Sequence, residues 1–238
     1  MRVTIQRVFT AVAMALALAS SAAAADITPA DFQRVVDEAY AKYKGLNEGS
    51  NADYIPILTE TPSDLFGVVI VTRDGAVYSA GDVDYKFSIQ SISKPFTAAL
   101  VMMQQGPKAL REMIGLESTG LAFNSKLSLE IHPARSVNPL VNAGAIATVS
   151  MIEAKSEKDR WNQVFENISD FAGTKLTVLE KVYDSEYENS WSNRGIANLL
   201  YNYERLYSDP EEALRVYTRQ CSIGVNALDL GMMGATLA

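Results

Sequence analysis

The sequence predicts a mixed α/β (α+β) fold, in which a small antiparallel sheet is flanked by helices and joined to a helical subdomain. One β-hairpin is indicated, because the apolar, β-branched stretches 66–72 and 76–80 flank the turn Arg73-Asp74-Gly75. Most of the chain after residue 91 shows the apolar spacing of helices. A two-stranded hairpin is marginally stable alone, so we expect these helices to cover it.

The first 25 residues are typical of a secretory leader. Arg2 and Arg7 form a positive region before an apolar stretch, 8–19, that is too short to span a bilayer. Small residues at 22–25 offer cleavage sites of the Ala-x-Ala type. An N-terminal membrane anchor is the alternative, and the short apolar stretch fits it less well. We therefore expect an exported protein, periplasmic or secreted, with residues 26–238 forming one domain and no membrane contact after cleavage.

Composition narrows the partners of the mature chain. Without the leader it carries 19 basic and 28 acidic residues, a net charge of −9, which disfavours nucleic acid and anionic membranes as partners. Cys221 is the single cysteine and His132 the single histidine. The sequence therefore predicts no intrachain disulfide, and it shows neither a zinc spacing nor a phosphate-binding glycine loop.

Local signals predict the other elements in order. Thr28 caps a helix that starts at Pro29 and ends by Gly45, and the polar stretch 46–63 is expected to be a long surface loop that can border a site. Poor apolar alternation in the hairpin suits a sheet covered on both faces. Further helices are expected, with an irregular segment at 115–137, at 96–103, 107–114, 139–152, 157–171, 178–187, 191–206, 210–219 and 226–238.

The last predicted helix ends the chain without a cap, a turn or a polar tail. The further strands that the hairpin needs are missing from the pattern. We therefore expect a chain that is incomplete at its C-terminus and lacks C-terminal strands. Such a fragment would leave an open sheet edge near 66–72 and would be poorly soluble.

Ser91 and Lys94 form the first candidate site. They lie three residues apart at an expected helix start, so they share one face, near free N–H groups that favour developing negative charge. Pro95 is tolerated that early in a helix. A serine becomes a nucleophile when a base takes its proton, and a lysine can be that base if burial lowers its pKa. On these residues alone, a capping serine beside a surface lysine is the alternative.

Two polar groups follow. Asn138-Pro139 is expected to start a helix with Asn138 as the cap, which places Asn142 one turn in, aimed into a cleft or bonded to backbone. Glu186 and Asn193 flank a polar turn, where a carboxylate suits a substrate ammonium and an amide suits a substrate carboxylate. A solvated turn is the alternative. Tyr217 is either a site residue or a tyrosine at the edge of the core.

Four motifs in register resemble the serine-dependent glutaminase family, of the bacterial glutaminase A type with a serine β-lactamase-like fold. They are Phe-Ser-Ile-Gln-Ser-Ile-Ser-Lys at 87–94, Asn-Pro-x-x-Asn-Ala-Gly-Ala-Ile at 138–146, Tyr-x-Ser-Glu at 183–186 with Asn-Arg shortly after, and Tyr-x-x-x-Cys-Ser-Ile at 217–223. Ser-x-x-Lys is also the nucleophile signature of β-lactamases and penicillin-binding proteins. The four motifs agree with the family in order and spacing, and the resemblance covers essentially all of the mature chain.

The resemblance implies a β-lactamase/transpeptidase-like fold and hydrolysis of L-glutamine to L-glutamate and ammonia through a serine acyl-enzyme, without a cofactor or metal. It implies Ser91 as nucleophile and Lys94 as its activator, with Tyr217 as a second candidate for proton transfer. The implied substrate-binding residues are Ser91, Asn142, Glu186, Asn193 and Tyr217. It further implies a homo-oligomer, a dimer or a tetramer. A family tyrosine and a second oxyanion donor would lie beyond Ala238, so inactivity is the expectation for this chain alone.

Two other kinds of protein are compatible with the sequence. A β-lactamase or penicillin-binding-type acyl-serine enzyme would share the Ser91 motif and the export signal, but no Ser-Asp-Asn motif is present. The groups around Asn142 and Glu186 also fit that enzyme less well. A catalytically silent module that binds amino acids or wall fragments is the third hypothesis, and the missing C-terminal part favours it.

Overall fold

The computed structural model describes residues 27–132, 135–136 and 138–238, and the candidate leader lies outside these ranges. Two 3₁₀ helices, Pro56–Glu60 and Gln90–Ser93, accompany the main elements. The strands are β1 Gly67–Val71, β2 Val77–Gly81, β3 Phe87–Ser88, β4 Thr177–Val178 and β5 Ile223–Val225. The helices are α1 Pro29–Tyr43, α2 Lys94–Met113, α3 Leu127–Ile131, α4 Asn142–Met151, α5 Glu157–Ala172, α6 Glu180–Glu188, α7 Trp191–Asn202, α8 Pro210–Cys221 and α9 Ala227–Leu237.

The predicted hairpin is present and is covered on both faces. β1 and β2 pair antiparallel, with Ile70 opposite Tyr78 and Val69 opposite Ser79. On one face α1 packs through Phe32, whose ring stacks on Tyr78 at a centroid distance of 5.2 Å. On the other face α9 packs so closely that a Cβ on Gly231 would lie 3.0 Å from Val69 Cγ1. Within the described ranges, β2 is the only strand that pairs with β1.

A second, three-stranded antiparallel sheet was not predicted. Its order is β3-β5-β4, with Phe87 opposite Val225 and Thr177 opposite Gly224. Its strands have two or three residues each. Strands this short carry no period-2 signal, because strand patterns become recognisable over about four to eight residues.

Helix α4 is the centre of the helical subdomain. All ten of its residues are buried, which fits its high content of alanine and apolar residues. It packs against α2, α7 and α8. The C-terminal carbonyls of α4 are satisfied by Arg160 from α5, whose Nη1 donates to Val149 O and Ser150 O at 3.2 Å each. The core is therefore built around a helix that also supplies a site residue.

The other helices follow the predictions with shifted ends. α1 starts with the expected Thr28 cap. α2 is interrupted at Gly106, where φ is 82°, so it corresponds to the two helices predicted for this region. The stretch predicted to be irregular contains the one-turn helix α3, and α7 ends at Asn202, earlier than predicted. In the described part of the chain, no helix has both the length and the apolar character that crossing a membrane requires.

Candidate active site

The predicted site residues meet around one cavity of about 290 Å³. That volume lies at the lower end of the range of about 300–1,000 Å³ that small-molecule sites occupy, so the cavity suits a small metabolite. Six segments that are distant in sequence supply its wall. The lining residues that bear on the chemistry are Tyr54, Gln90, Ser91, Phe123, Asn142, Glu186, Asn193, Tyr217 and Cys221.

Ser91 lies in the 3₁₀ helix Gln90–Ser93 immediately before α2. The prediction of a place in the first α-helical turn was therefore one turn off, because α2 begins at Lys94. In a 3₁₀ helix, side chains three residues apart are eclipsed, so Ser91 and Lys94 still share a face. Ser91 is exposed and lines the cavity, and its hydroxyl has no hydrogen-bond partner in the described part of the chain.

Lys94 lies buried behind the cavity wall, with 3% of its surface exposed. Its Nζ donates to Asn142 Oδ1 at 2.7 Å and to Leu140 O at 3.4 Å, and it lies 5.8 Å from the ring centre of Phe123. Burial lowers the pKa of Lys94, because the ammonium loses hydration, while the nearby Cys221 and Glu186 partly oppose the shift. A lysine with a lowered pKa is suited to accept a proton.

The start of α4 differs from the prediction. Asn138 does not cap the helix, because its Oδ1 accepts from the N–H of Leu140 at 2.9 Å and closes a local turn. α4 begins after Val141, so Asn142 is its first residue and not one turn in. The predictions that Asn138 caps the helix and that Pro139 starts it were therefore wrong. Because the helix starts later than predicted, Asn142 lies at its N-terminus and lines the cavity.

Gly144 has no side chain, and this allows the Asn138-Pro139 turn to pack directly against α4. A Cβ at this position would lie 1.7 Å from Asn138 O, so a larger residue cannot be accommodated without moving backbone. The surface that packs so closely on the start of α4 is the chain's own Asn138-Pro139 turn.

Asn142 connects three other predicted site residues. Its Oδ1 accepts from Lys94 Nζ and, at 3.3 Å, from Tyr217 OH, and its Nδ2 donates to Asn193 Oδ1 at 3.0 Å. Tyr217 is 2% exposed, and burial raises its pKa well above the usual value. Its hydroxyl therefore stays protonated at neutral pH and acts as a donor to Asn142.

Glu186 is buried in α6, with 8% of its surface exposed. Its Oε2 accepts from Gln90 Nε2 at 3.3 Å. Burial raises the pKa of Glu186 to about 7, while the Gln90 hydrogen bond and the Lys94 charge oppose that shift. A buried carboxylate with few donors around it is suited to a cationic group brought by a ligand.

Sequence reasoning assigned no role to four other lining residues. Tyr54 lies on the loop that was predicted to border a site, and its hydroxyl donates to Gln90 Oε1 at 3.3 Å. Gln90 and Cys221 fell inside recognised motifs, and the buried thiol of Cys221 has a raised pKa because of burial. Phe123 lies in the segment predicted to be irregular. The described residues contain no cluster of three His, Cys, Asp or Glu side chains able to hold a metal ion.

A larger cleft of about 680 Å³ lies elsewhere, between the hairpin, β3 and α9. Its lining is mostly apolar, and it contains none of the predicted site residues. Asp82 is its acidic residue, and that carboxylate already accepts from the N–H of Phe66 at 3.0 Å. The smaller cavity is therefore the candidate active site.

The antiparallel strands, the helical subdomain and the serine–lysine pair at a helix start define a protein with a serine β-lactamase-like fold. Within that class, the chain belongs to the glutaminase family, because the family profile described as "Glutaminase" matches residues 49–238.

Curated relatives agree with this assignment. A glutaminase of Colwellia psychrerythraea is 50% identical over 206 residues, which cover 87% of this chain and 66% of the relative. A glutaminase of Brucella canis is 52% identical over 190 residues, which cover 80% of this chain and 60% of the relative. The chain thus spans slightly less than two thirds of the length of these relatives.

Solved structures show the same likeness. One titled as the probable glutaminase YbaS superposes with a TM-score of 0.87 at 47% identity, covering 88% of this chain and 68% of that chain. The native form of a protein titled Mglu superposes with a TM-score of 0.81 at 37% identity, covering 87% of this chain and 50% of that chain.

Proposed function

We propose that this protein hydrolyses L-glutamine to L-glutamate and ammonia through an acyl-enzyme on Ser91. The observation that carries the proposal is the cavity in which an exposed Ser91 faces a buried carboxylate, Glu186, with the buried Lys94 three residues from the serine. Membership of the glutaminase family supports the choice of substrate.

The chemistry proceeds in two half-reactions. Ser91 Oγ attacks the side-chain amide carbon of glutamine while its proton passes to the neutral amine of Lys94. The lysine returns that proton to the leaving nitrogen, the C–N bond breaks, and ammonia departs. Water then attacks the resulting ester, the C–Oγ bond breaks, and Ser91 regains its proton as glutamate leaves. Ser91 N–H lies at the start of the 3₁₀ turn and is one candidate donor to the oxyanion.

Lys94 is the better candidate for the general base than Tyr217. Burial lowers the pKa of the lysine and raises that of the tyrosine. The neutral amine of Lys94 therefore forms more readily near neutral pH than the phenolate of Tyr217. Tyr217 instead donates to Asn142, and Asn142 in turn accepts from Lys94. The proposed role of Tyr217 is to position the Asn142 amide, which in turn orients Lys94.

Recognition of the free amino acid follows from the polar groups around the serine. Glu186 is proposed to bind the α-ammonium of glutamine, and the amides of Asn142 and Asn193 to bind its α-carboxylate. The volume of about 290 Å³ leaves room for one amino acid.

The experiment is an ammonia-release assay on the full-length gene product with L-glutamine, run beside nitrocefin. Turnover of glutamine without nitrocefin hydrolysis is the expected result. Nitrocefin turnover alone would overturn the proposal in favour of a β-lactamase. Calorimetric binding of glutamine by the wild-type protein without ammonia release would overturn it in favour of a silent binding module.

We propose also that the protein is exported with cleavage near Ala25 or Asp26, and that it forms a dimer or tetramer. The Arg2 and Arg7 flank and the small residues at 22–25 support export. Intact-mass measurement of periplasmic material is expected to show that the leader is gone. Soluble cytoplasmic protein that retains Met1 would contradict export. Light scattering coupled to gel filtration tests the oligomer, and a monomeric mass would contradict it.

A further inference from the structure

Gln90, the residue before the nucleophile, has an uncommon backbone conformation. Its φ is 50°, and among the described residues Glu204 is the only other non-glycine residue with a positive φ. Long side chains rarely adopt the left-handed region, and such conformations concentrate at functional sites where the surroundings hold them. The contacts of Gln90 show what holds it.

A buried chain of polar groups holds the Gln90 backbone. Ser93 Oγ donates to Gln90 O at 2.7 Å and accepts from Gln220 Nε2 at 3.3 Å. Gln220 Oε1 in turn accepts from Thr97 Oγ1 at 2.7 Å. Ser93 and Gln220 are fully buried, and Thr97 is 2% exposed. This series of hydrogen bonds is therefore shielded from water and has a fixed geometry.

The Gln90 side chain faces the other way and links three elements of the site. Its Nε2 donates to Ser88 Oγ at 3.1 Å and to Glu186 Oε2 at 3.3 Å, and its Oε1 accepts from Tyr54 OH at 3.3 Å. The opposite amide orientation would place Oε1 against the carboxylate of Glu186, so the network defines which end is the nitrogen.

Gln90 is the only hydrogen-bond donor to the Glu186 carboxylate within the described ranges. Burial raises the pKa of Glu186 to about 7, and the Gln90 bond is the largest effect that opposes the shift. The charged and titratable groups facing Glu186 from neighbouring elements are Lys94, Tyr54, Tyr217 and Cys221. Without Gln90, the carboxylate would be less firmly oriented and more readily protonated.

We infer that Gln90 is a positioning residue that orients the Glu186 carboxylate next to Ser91 and thereby makes the site selective for amides bearing a free α-ammonium. This inference rests on the proposed function. Gln90 acts through Glu186, and its left-handed backbone is what allows one residue to join the nucleophile's turn to the ammonium-binding carboxylate.

The test uses Gln90→Asn and Gln90→Glu in the full-length gene product. Asparagine tolerates the left-handed region but is one methylene too short to reach Glu186, whereas glutamate has the right length and places a like charge against it. Glu204→Asn is the matched control, because it changes the other left-handed residue on an exposed turn.

Both Gln90 variants are expected to raise the KM for glutamine about tenfold, the effect of losing a hydrogen bond to a charged group, with kcat changed less than about threefold. The preference for glutamine over Nα-acetylglutamine should narrow by the same factor. In a Ser91→Ala background, the pH at which glutamine binding weakens on acidification should rise by about one unit in Gln90→Asn. Glu204→Asn should change none of these readouts.

An unchanged preference and an unchanged pH dependence of binding would overturn the inference, as would a fall in kcat and melting temperature with KM unaltered, which indicates a merely structural role. If the wild type bound glutamine but released no ammonia, the proposed hydrolysis would fall while the binding comparison still decided the role of Gln90. Failure of the Ser91→Ala protein to discriminate the two ligands would overturn the inference as well.

Discussion

Lys94 Nζ lies 2.7 Å from Asn142 Oδ1, so the first residue of α4 accepts a hydrogen bond from the buried lysine of the site. The amide is neutral, and it can accept a hydrogen bond from the ammonium or from the neutral amine. A carboxylate in the same place would favour the charged lysine alone. The neutrality of Asn142 therefore helps to keep the pKa of Lys94 low.

Asn142→Asp is expected to raise the pKa of Lys94 and to lower kcat/KM about 10²-fold at pH 7, because the base is then mostly protonated. Activity should partly return at higher pH, with the acid limb of the rate profile shifted upward. Asn198→Asp on the exposed face of α7 adds the same charge away from Lys94 and serves as the control. An unshifted acid limb in Asn142→Asp would remove Lys94 as the base.

Ser91→Ala is expected to lower ammonia release from glutamine by at least about 10³-fold, because the acyl-enzyme cannot form. Ser91 is exposed and its hydroxyl bonds to nothing in the described part of the chain, so the melting temperature should be unchanged within about 1–2 °C. Lys94→Ala should lose activity to nearly the same extent. Wild-type-like turnover in either variant would show that the catalytic centre lies elsewhere.

Glu186→Gln is expected to raise the KM for glutamine and to narrow the preference for glutamine over its Nα-acetyl analogue. The uncharged amide keeps the shape of the carboxylate but loses its attraction for an ammonium. Steady-state kinetics with both substrates measure the effect. An unchanged preference would place Glu186 outside the substrate site.

The same variant tests the pKa of Glu186 through stability. The folded-state pKa is raised to about 7, so between about pH 4.5 and 7 the folded protein holds a proton that the unfolded chain has released. The wild type therefore loses stability as the pH rises through this window, by up to about 3 kcal/mol from this group. Denaturant unfolding at pH 5 and pH 8 should show a smaller loss in Glu186→Gln. Equal losses would mean that the carboxylate titrates normally.

Tyr217→Phe separates positioning from proton transfer. The hydroxyl donates one hydrogen bond, at 3.3 Å, to Asn142. Its loss should lower kcat about tenfold or less if Lys94 is the base, without moving the acid limb of the rate profile. Complete loss of activity with an intact fold would instead assign the essential proton transfer to Tyr217.

Gly144→Ala is expected to destabilise the protein by about 2 kcal/mol or more, because the new Cβ would meet a backbone oxygen that cannot move alone. Gly234→Ala in α9 is the matched control, since a Cβ there meets nothing within 4 Å, and it should be neutral or stabilising by up to about 1 kcal/mol. Equal effects of the two substitutions on chemical denaturation would contradict the close packing of the Asn138 turn on α4.

The sequence was informative where a signal is local. The Ser91–Lys94 spacing survives the replacement of an α-turn by a 3₁₀ turn, because both bring residues three apart onto one side. The hairpin was recognisable because its turn and both its strands lie within one short segment. The strands β3, β4 and β5 were not, because their pairing depends on residues far apart in the chain.

The start of α4 shows how two local signals compete. Asn138-Pro139 fits a helix cap, yet the same side chain can bond to the N–H two residues on, and the structure adopts that turn. The contact of Lys94 with Asn142 and the link from Gln90 to Glu186 join elements distant in sequence. No periodicity records such contacts, so the partners of each site residue could be read only from the structure.

The position of β5 bears on biosynthesis. Ile223 O, in β5, accepts from the N–H of Ile89, next to the 3₁₀ turn that carries Ser91, at 2.8 Å. Ser222 O, just before β5, accepts from the N–H of Leu179, at the start of α6, at 2.9 Å. The segments that carry Ser91 and Glu186 are thus both hydrogen-bonded to a part of the chain that the ribosome synthesises after them. A nascent chain therefore contains Ser91 and Glu186 before the strand that joins their segments has been made, so the cavity is expected to form only after β5 has emerged from the ribosome and paired.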